Sequence, residues 1–178
     1  MNIFYLHKDP KTCAEMHCDK HVCKMIIEYA QLMCTAHRVI DGEHYEGRTA
    51  NNRRIARWKH PLENHEKLLY KASHIKHPSN LWVRESQNHY NWLYEMWEHL
   101  CYEYTNRYGK VHMTDLKLRG ILASSPMQID VKPFVDPYLA MPDDVKQENV
   151  VEAYRAVSYT HLRAHETVLD LVCRLLLE

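Results

Sequence analysis

The stretch Ala14 to Arg38, AEMHCDKHVCKMIIEYAQLMCTAHR, constrains this chain more than any other. Its polar members His17, His21, Lys24, Glu28, Gln31 and Thr35 recur at spacings of 4, 3, 4, 3 and 4. At 100° per residue all six fall within an arc of about 80° on a helix. Most of the remaining surface is apolar or small, from Val22 and Met25 through Ile26, Tyr29 and Leu32 to Ala36. An ordinary surface helix turns a polar half to water and an apolar stripe to the core. A helix with only a narrow polar seam is predicted to lie at the centre of a domain, the seam lining a cleft.

Two readings of the seam compete. Lys24 and Glu28 form an i,i+4 pair that any solvated strip can carry. Two imidazoles, an ammonium, a carboxylate and an amide also make a reactive set. His17, His21, Lys24, Glu28 and Gln31 are therefore the candidate catalytic residues.

Basic and acidic residues balance at 23 each, so a nucleic-acid role has to rest on local charge. The strongest local cluster is Arg48, Arg53, Arg54, Arg57 and Lys59 beside Trp58, in a polar connection over residues 41–60 that Asp41-Gly42 opens. Cations next to an aromatic ring suit a phosphate backbone and a stacked base, although a solvated loop has the same composition. His77 and Arg84, at the start of the second long helix, are further candidate nucleic-acid contacts. That helix starts at Pro78 or Ser79, runs to about Arg107, carries Trp82, Trp92, Trp97 and Leu100 as apolar bulk, and stops at Gly109.

The other elements follow from local signals. Asn2 to Leu6 is a short apolar piece, extended or the beginning of a turn, and Asp9-Pro10 starts a helix. Leu62 to Ala72 reads as a short helix with Leu68 and Leu69 inward. Another short helix covers residues 114–123. Four prolines over residues 125–142 predict an extended wrap, and Asp143-Asp144 caps a helix to about Tyr154. From Val157 onward the chain reads as a non-native, adapter-derived tail, which leaves residues 1–156 as the authentic part. With few glycines and 178 residues, the expectation is an all-α, single compact domain. Its frame would be two long helices, about 14–38 and 79–107, with short flanking helices. No apolar run approaches the ~20 residues of a membrane span, and the six cysteines lack a C-x-x-C pair. Reduced thiols, a cytoplasmic location and no membrane partner are expected.

Metal chemistry is suggested by His17-x-Asp19-x-His21. His17 and His21 share a helix face, but Asp19 points about 160° away from their midpoint. Zinc on that pair needs further ligands, from His37, His74, His77 or His112, and H-E-x-x-H is absent. No metal or cofactor is assigned, and a metal-dependent hydrolase using His17 and His21 stays as an alternative. Cys18 and Cys23 read as small core residues before nucleophiles. P-loop, Rossmann and G-x-S-x-G patterns are absent.

Three motifs, HCDKHVCKM, HPSNLWVRES and EYTNRYGKVH, resemble a family of short phage proteins across nearly all of residues 1–156. That resemblance implies a phage origin but no activity. A more distant likeness runs to the pyrimidine-dimer DNA glycosylases of the endonuclease V type. It rests on Leu6-His7 after a short apolar start, on His77-Pro78, and on a long helix ending at Arg107-Tyr108-Gly109. The likeness implies a helical fold in which an N-terminal amine forms an imine with the sugar. A glutamate from the first long helix then drives β-elimination. This chain departs in two places: Asn2 is bulky for removal of Met1, and His21 or Lys24 stands where the family has its glutamate, with Glu28 one turn later. The function this implies is a phage DNA-processing protein resembling base-excision glycosylase/lyases, with DNA as partner. The alternative from another class is a non-catalytic DNA- or protein-binding factor.

Overall fold

The computed structural model describes residues 2–141 and 146–158. In chain order these form α1 (Pro10–Glu15), α2 (Asp19–Asp41), β1 (Glu43–Arg48), β2 (Arg54–Lys59), α3 (Glu63–Leu68), α4 (Pro78–Glu85), α5 (Gln87–Tyr108) and α6 (Met113–Leu122). Residues 150–158 form a further helix, α7.

The chain is mostly helical and α2 is its axis. Val22, Met25, Ile26, Tyr29, Ala30, Leu32, Met33, Cys34 and Ala36 are all buried. They pack against α4, α5 and α6, as an almost entirely apolar helix requires. Exposure on the first half of α2 is confined to a strip around Asp19, Lys20, Lys24 and Ile27. The N-terminal piece Ile3, Phe4, Tyr5 and Leu6 is buried beside it. Three tryptophans of α4 and α5 fill the interior, each with its indole N–H paired. Trp97 donates to Ile26 O at 2.9 Å, Trp82 to Val135 O at 2.8 Å and Trp92 to Lys8 O at 2.8 Å. A buried indole left unpaired costs about 1–3 kcal/mol, so these carbonyls fix the ring orientations.

The structure corrects three expectations. The helix predicted over 14–38 is two helices, broken at residues 16–18. Arg107, at the far end of α5, explains the break. It donates to Glu15 O at 3.0 Å and His17 O at 2.7 Å, and to Asp19 Oδ1 at 3.1 Å. The freed helix-end carbonyls are thus satisfied by a guanidinium and not by the next turn. The second predicted helix also breaks, at Ser86 (φ −152°, ψ 142°). Ser86 Oγ donates to Lys132 O at 2.8 Å and accepts Lys132 N–H at 3.1 Å, which pins the proline-rich wrap into the gap. That wrap is extended, as the prolines predict.

The third correction concerns the class. Residues 41–60 are not an irregular connection but an antiparallel ribbon, so the fold is mostly-α and not all-α. The register pairs Glu43 with Lys59, Tyr45 with Arg57 and Arg48 with Arg54. Asn52 takes a left-handed conformation (φ 59°) in the turn, where Asn is tolerated. Gly42 joins α2 to β1 because a Cβ there would collide with Arg38 O.

The start and stop signals hold. Asp9 caps α1 through Thr12 N with Pro10 in its first turn, and α4 starts at Pro78. Gly109 ends α5 at φ 66°, with its N–H on Thr105 O at 2.8 Å. Nothing lies within 4 Å of a Cβ placed there, so only backbone strain opposes a side chain. Gly109→Ala should therefore lower stability by about 1 kcal/mol in urea melts. The predicted Asp143-Asp144 cap and the tail from Tyr159 onward lie outside the described residues. No helix among the described residues is long and apolar enough to cross a membrane.

Candidate nucleic-acid interface and helix seam

Sequence composition builds the ribbon as a cationic element. Residues 43–59 carry five basic side chains against Glu43 and Glu46. Alternation places Tyr45, Arg57 and Lys59 on one face, and His44, Trp58, Arg48 and Arg54 on the other. Arg48, Arg53, Arg54 and Lys59 are exposed, while Arg57 and Trp58 are half-buried. Arg48 Nη1 donates to Asn52 Oδ1 at 2.8 Å, and Arg54 sits 3.9 Å from Glu46 with both side chains open to water. Trp58 meets His44 edge-on at 5.1 Å. A lone two-stranded ribbon is marginal in water, so this one needs anchoring at its base. Arg38 provides it, donating from Nη1 to Trp58 O at 2.9 Å.

The seam survives only in part. His17 lies in the break between α1 and α2 and is buried. Its Nδ1 is 2.8 Å from Cys13 O and its Nε2 2.8 Å from the Tyr29 hydroxyl. Both ring nitrogens are used, which leaves no lone pair for the metal suggested on His17 and His21. Burial also drives the His17 pKa down to about 4, against a smaller opposing effect of Cys13 O, so the ring is neutral near pH 7. His21 is buried and stacked on Phe4 at 4.3 Å. Thr35, at the other end, donates to Gln31 O and accepts Ser73 N–H. Lys24, Glu28 and Gln31 remain reachable. Lys24 Nζ is 3.4 Å from Glu28 Oε1, with the lysine side chain 67% exposed and the glutamate 20%.

His77 and Arg84 part company with the ribbon. His77 caps α4 through Ser79 N, and burial lowers its pKa, with His74 adding to the fall and Glu28 opposing it. Glu28, His74 and His77 thus share one electrostatic neighbourhood, beside Asn2, whose Oδ1 accepts from Ser79 Oγ at 3.5 Å. Arg84 is not available to a phosphate. Its guanidinium is spent on the carbonyls of Asn80 and Ile75, bracing the loop before α4.

The chain matches no family model, no curated protein and no solved structure.

Sequence reasoning missed one cluster altogether. His37 and Asp41, one turn apart on α2, meet His60 just after β2, and all three are buried. The helical i,i+4 spacing was legible, but the third member depended on where the ribbon returns to the body. The cysteines do not compete for a catalytic role. Cys13, Cys18, Cys23, Cys34 and Cys101 form no disulfide among the described residues, and burial pushes the thiols of Cys13 and Cys34 up to about 11 and about 12.

Proposed function

We propose that this chain is a phage DNA-processing protein of the base-excision glycosylase/lyase kind, acting in the host-cell cytoplasm. The observation that carries the reading is the ribbon, an exposed two-stranded element with arginines clustered at its tip. A two-stranded ribbon fits the major groove, and arginines on phosphates give register and affinity. Chemistry falls to the open part of the seam, with Lys24 as the amine. The amine adds to the sugar C1′, the base leaves and an imine forms. Glu28, paired with Lys24 at 3.4 Å, takes the C2′ proton, and the 3′ phosphate departs. His17 and His21 then serve as buried supports of the helix that presents Glu28.

Two measurements test this. Replacing Arg48, Arg53 and Arg54 together by alanine should weaken duplex binding roughly 10- to 100-fold and flatten the salt slope by about 2.7, three phosphate contacts at 0.9 each. Borohydride should trap a covalent adduct on an abasic duplex. Glu28→Gln should still allow imine trapping but remove strand cleavage. Tight binding without any adduct transfers the reading to a non-catalytic binding factor. An unchanged salt slope in the triple variant removes the ribbon from the interface.

A further inference from the structure

We propose that His37, Asp41 and His60 form a binding site for one divalent transition-metal ion of the zinc type, clamping the base of the ribbon to α2. The three candidate ligand atoms lie within 4.8 Å of one another, and His60 Nε2 is 3.9 Å from Asp41 Oδ2. A tetrahedral ion with bonds of about 2.0–2.1 Å separates its ligands by roughly 3.3–3.4 Å. Small side-chain rotations close that difference. The three residues are buried at 2%, 8% and 2% exposure, so water does not compensate them.

Polar bookkeeping at the cluster points to a missing ligand. His60 Nε2 is buried, without a hydrogen-bond partner among the described residues, and 3.9 Å from the nearest carboxylate oxygen of Asp41. Buried polar atoms are nearly always paired, and each exception asks for a cause. Asp41 accepts Met127 N–H at 2.8 Å and Gln128 N–H at 3.0 Å, which still leaves lone pairs on both oxygens. The neighbouring Arg38 is taken up by Glu66 at 2.6 Å, so among the described residues the Asp41 charge has no cation of its own in the cluster. A dication supplies one.

The other ring already has the support that metal-bound histidines need. Tyr90 donates its hydroxyl to Leu122 O at 3.0 Å, so its oxygen is free to accept from His37 Nε2, 2.9 Å away. That pairs Nε2, an outer-shell arrangement typical of metal-ligating histidine, while the other ring nitrogen is in hydrogen-bond reach of the Ser124 backbone, so an ion on Nδ1 takes the place of that contact. For His60 the exchange has a small cost. Nδ1 accepts Leu62 N–H at 3.2 Å, so the neutral ring carries its proton on Nε2. Metal binding moves that proton to Nδ1 and gives up this short-range bond, whose donor belongs to the exposed Leu62 at the head of α3. His65, stacked on His60 at 4.7 Å and 14°, covers the site from outside. Its plane parallel to His60 keeps it from converging on the same ion.

Two His and one carboxylate leave coordination positions for water and favour borderline ions over calcium or magnesium. The ion would join the C-terminal end of α2, the foot of β2 and the segment at 127–128, none of them neighbours in sequence. Its role is to fix the ribbon's angle to the body.

The test titrates the full chain with cobalt(II) chloride, then zinc. About one equivalent should bind with visible d–d absorption and without a thiolate-to-metal band, and zinc should raise the unfolding temperature. His60→Gln should lose both effects, whereas His99→Gln keeps them. X-ray absorption on the zinc-loaded wild-type chain gives an answer even if His60→Gln does not fold. A first shell of nitrogen and oxygen alone with imidazole scattering supports the site, and sulfur at ~2.3 Å overturns it. Failure of the wild-type chain to bind cobalt at micromolar concentration overturns it equally.

Discussion

Arg38→Ala is expected to lower the unfolding free energy by about 3–5 kcal/mol. Arg38 is 4% exposed, and its guanidinium makes five hydrogen bonds. Nε donates to Tyr70 O at 2.7 Å, Nη1 to Trp58 O and Glu66 Oε2, and Nη2 to the carbonyls of Glu66 and Leu69. Truncation strands four backbone carbonyls, of which Leu69 is the most enclosed, at about 1–3 kcal/mol for each that water cannot reach. Glu66 loses less, because its side chain is 36% exposed and is also held by His60 N–H at 2.8 Å. Arg38→Lys should recover little of this. An ammonium offers three donors from one point and cannot serve carbonyls on both β2 and the 66–70 segment. Urea melts measure the loss. A difference under about 1 kcal/mol would show that the network contributes position and not stability. The same variant frees Trp58 O, so it should also loosen the ribbon.

Arg38 also shows where the sequence stops being legible. Sequence marks it only as the last residue of a helix, because the four residues that accept its five hydrogen bonds lie 20 to 32 positions away and no periodicity encodes them. Local chemistry read well. Asp9-Pro10, Pro78 and Gly109 act within one turn, and each marks the helix end predicted for it. The burial of α2 read well too, because a wide apolar surface leaves one place for a helix to go. Breaks at residues 16–18 and at Ser86 did not, because both are made by distant partners, Arg107 and Lys132. The ribbon was hidden for another reason. β1 is polar and exposed along nearly its whole length, and the apolar residues of β2, Ile55, Ala56 and Trp58, fall on both faces, so the alternation that marks a half-buried strand never forms. The seam failed at His17 for the same reason as the break, since angular phase cannot be carried across three non-helical residues. The His37–Asp41–His60 cluster needed the ribbon's return path, which composition could not supply.

Acid should destabilise the chain steeply, and His17 should carry about 3 kcal/mol of that loss between pH 6.5 and 4. Burial lowers its folded-state pKa to about 4, whereas the unfolded ring titrates near 6.5. In that window the unfolded chain binds a proton that the folded chain refuses, so stability rises with pH. The contribution is complete above about 6.5 and is lost as pH falls through the window. Loss of hydration in the buried site is the main cause of the refusal, and the Tyr29 side of the ring adds no acceptor for a second proton. Nδ1–H donates to Cys13 O, and Nε2 accepts the Tyr29 hydroxyl proton at 2.8 Å. The Tyr29 oxygen already accepts Phe4 N–H at 3.2 Å, so a second proton on the ring would set two donors on that oxygen and leave its own hydrogen without an acceptor. Burial lowers the His89 pKa as well, so the wild-type slope is a sum and only a difference isolates His17. His17→Gln should be less stable at pH 7, yet its stability should fall less between pH 6.5 and 4 in urea melts at stepped pH. Parallel curves for the two chains would sink the assignment. An imidazole kept neutral by burial and closed to water has no proton to lend. Of the seam, only the pair Lys24 and Glu28, with Gln31 beside it, is left open to a substrate.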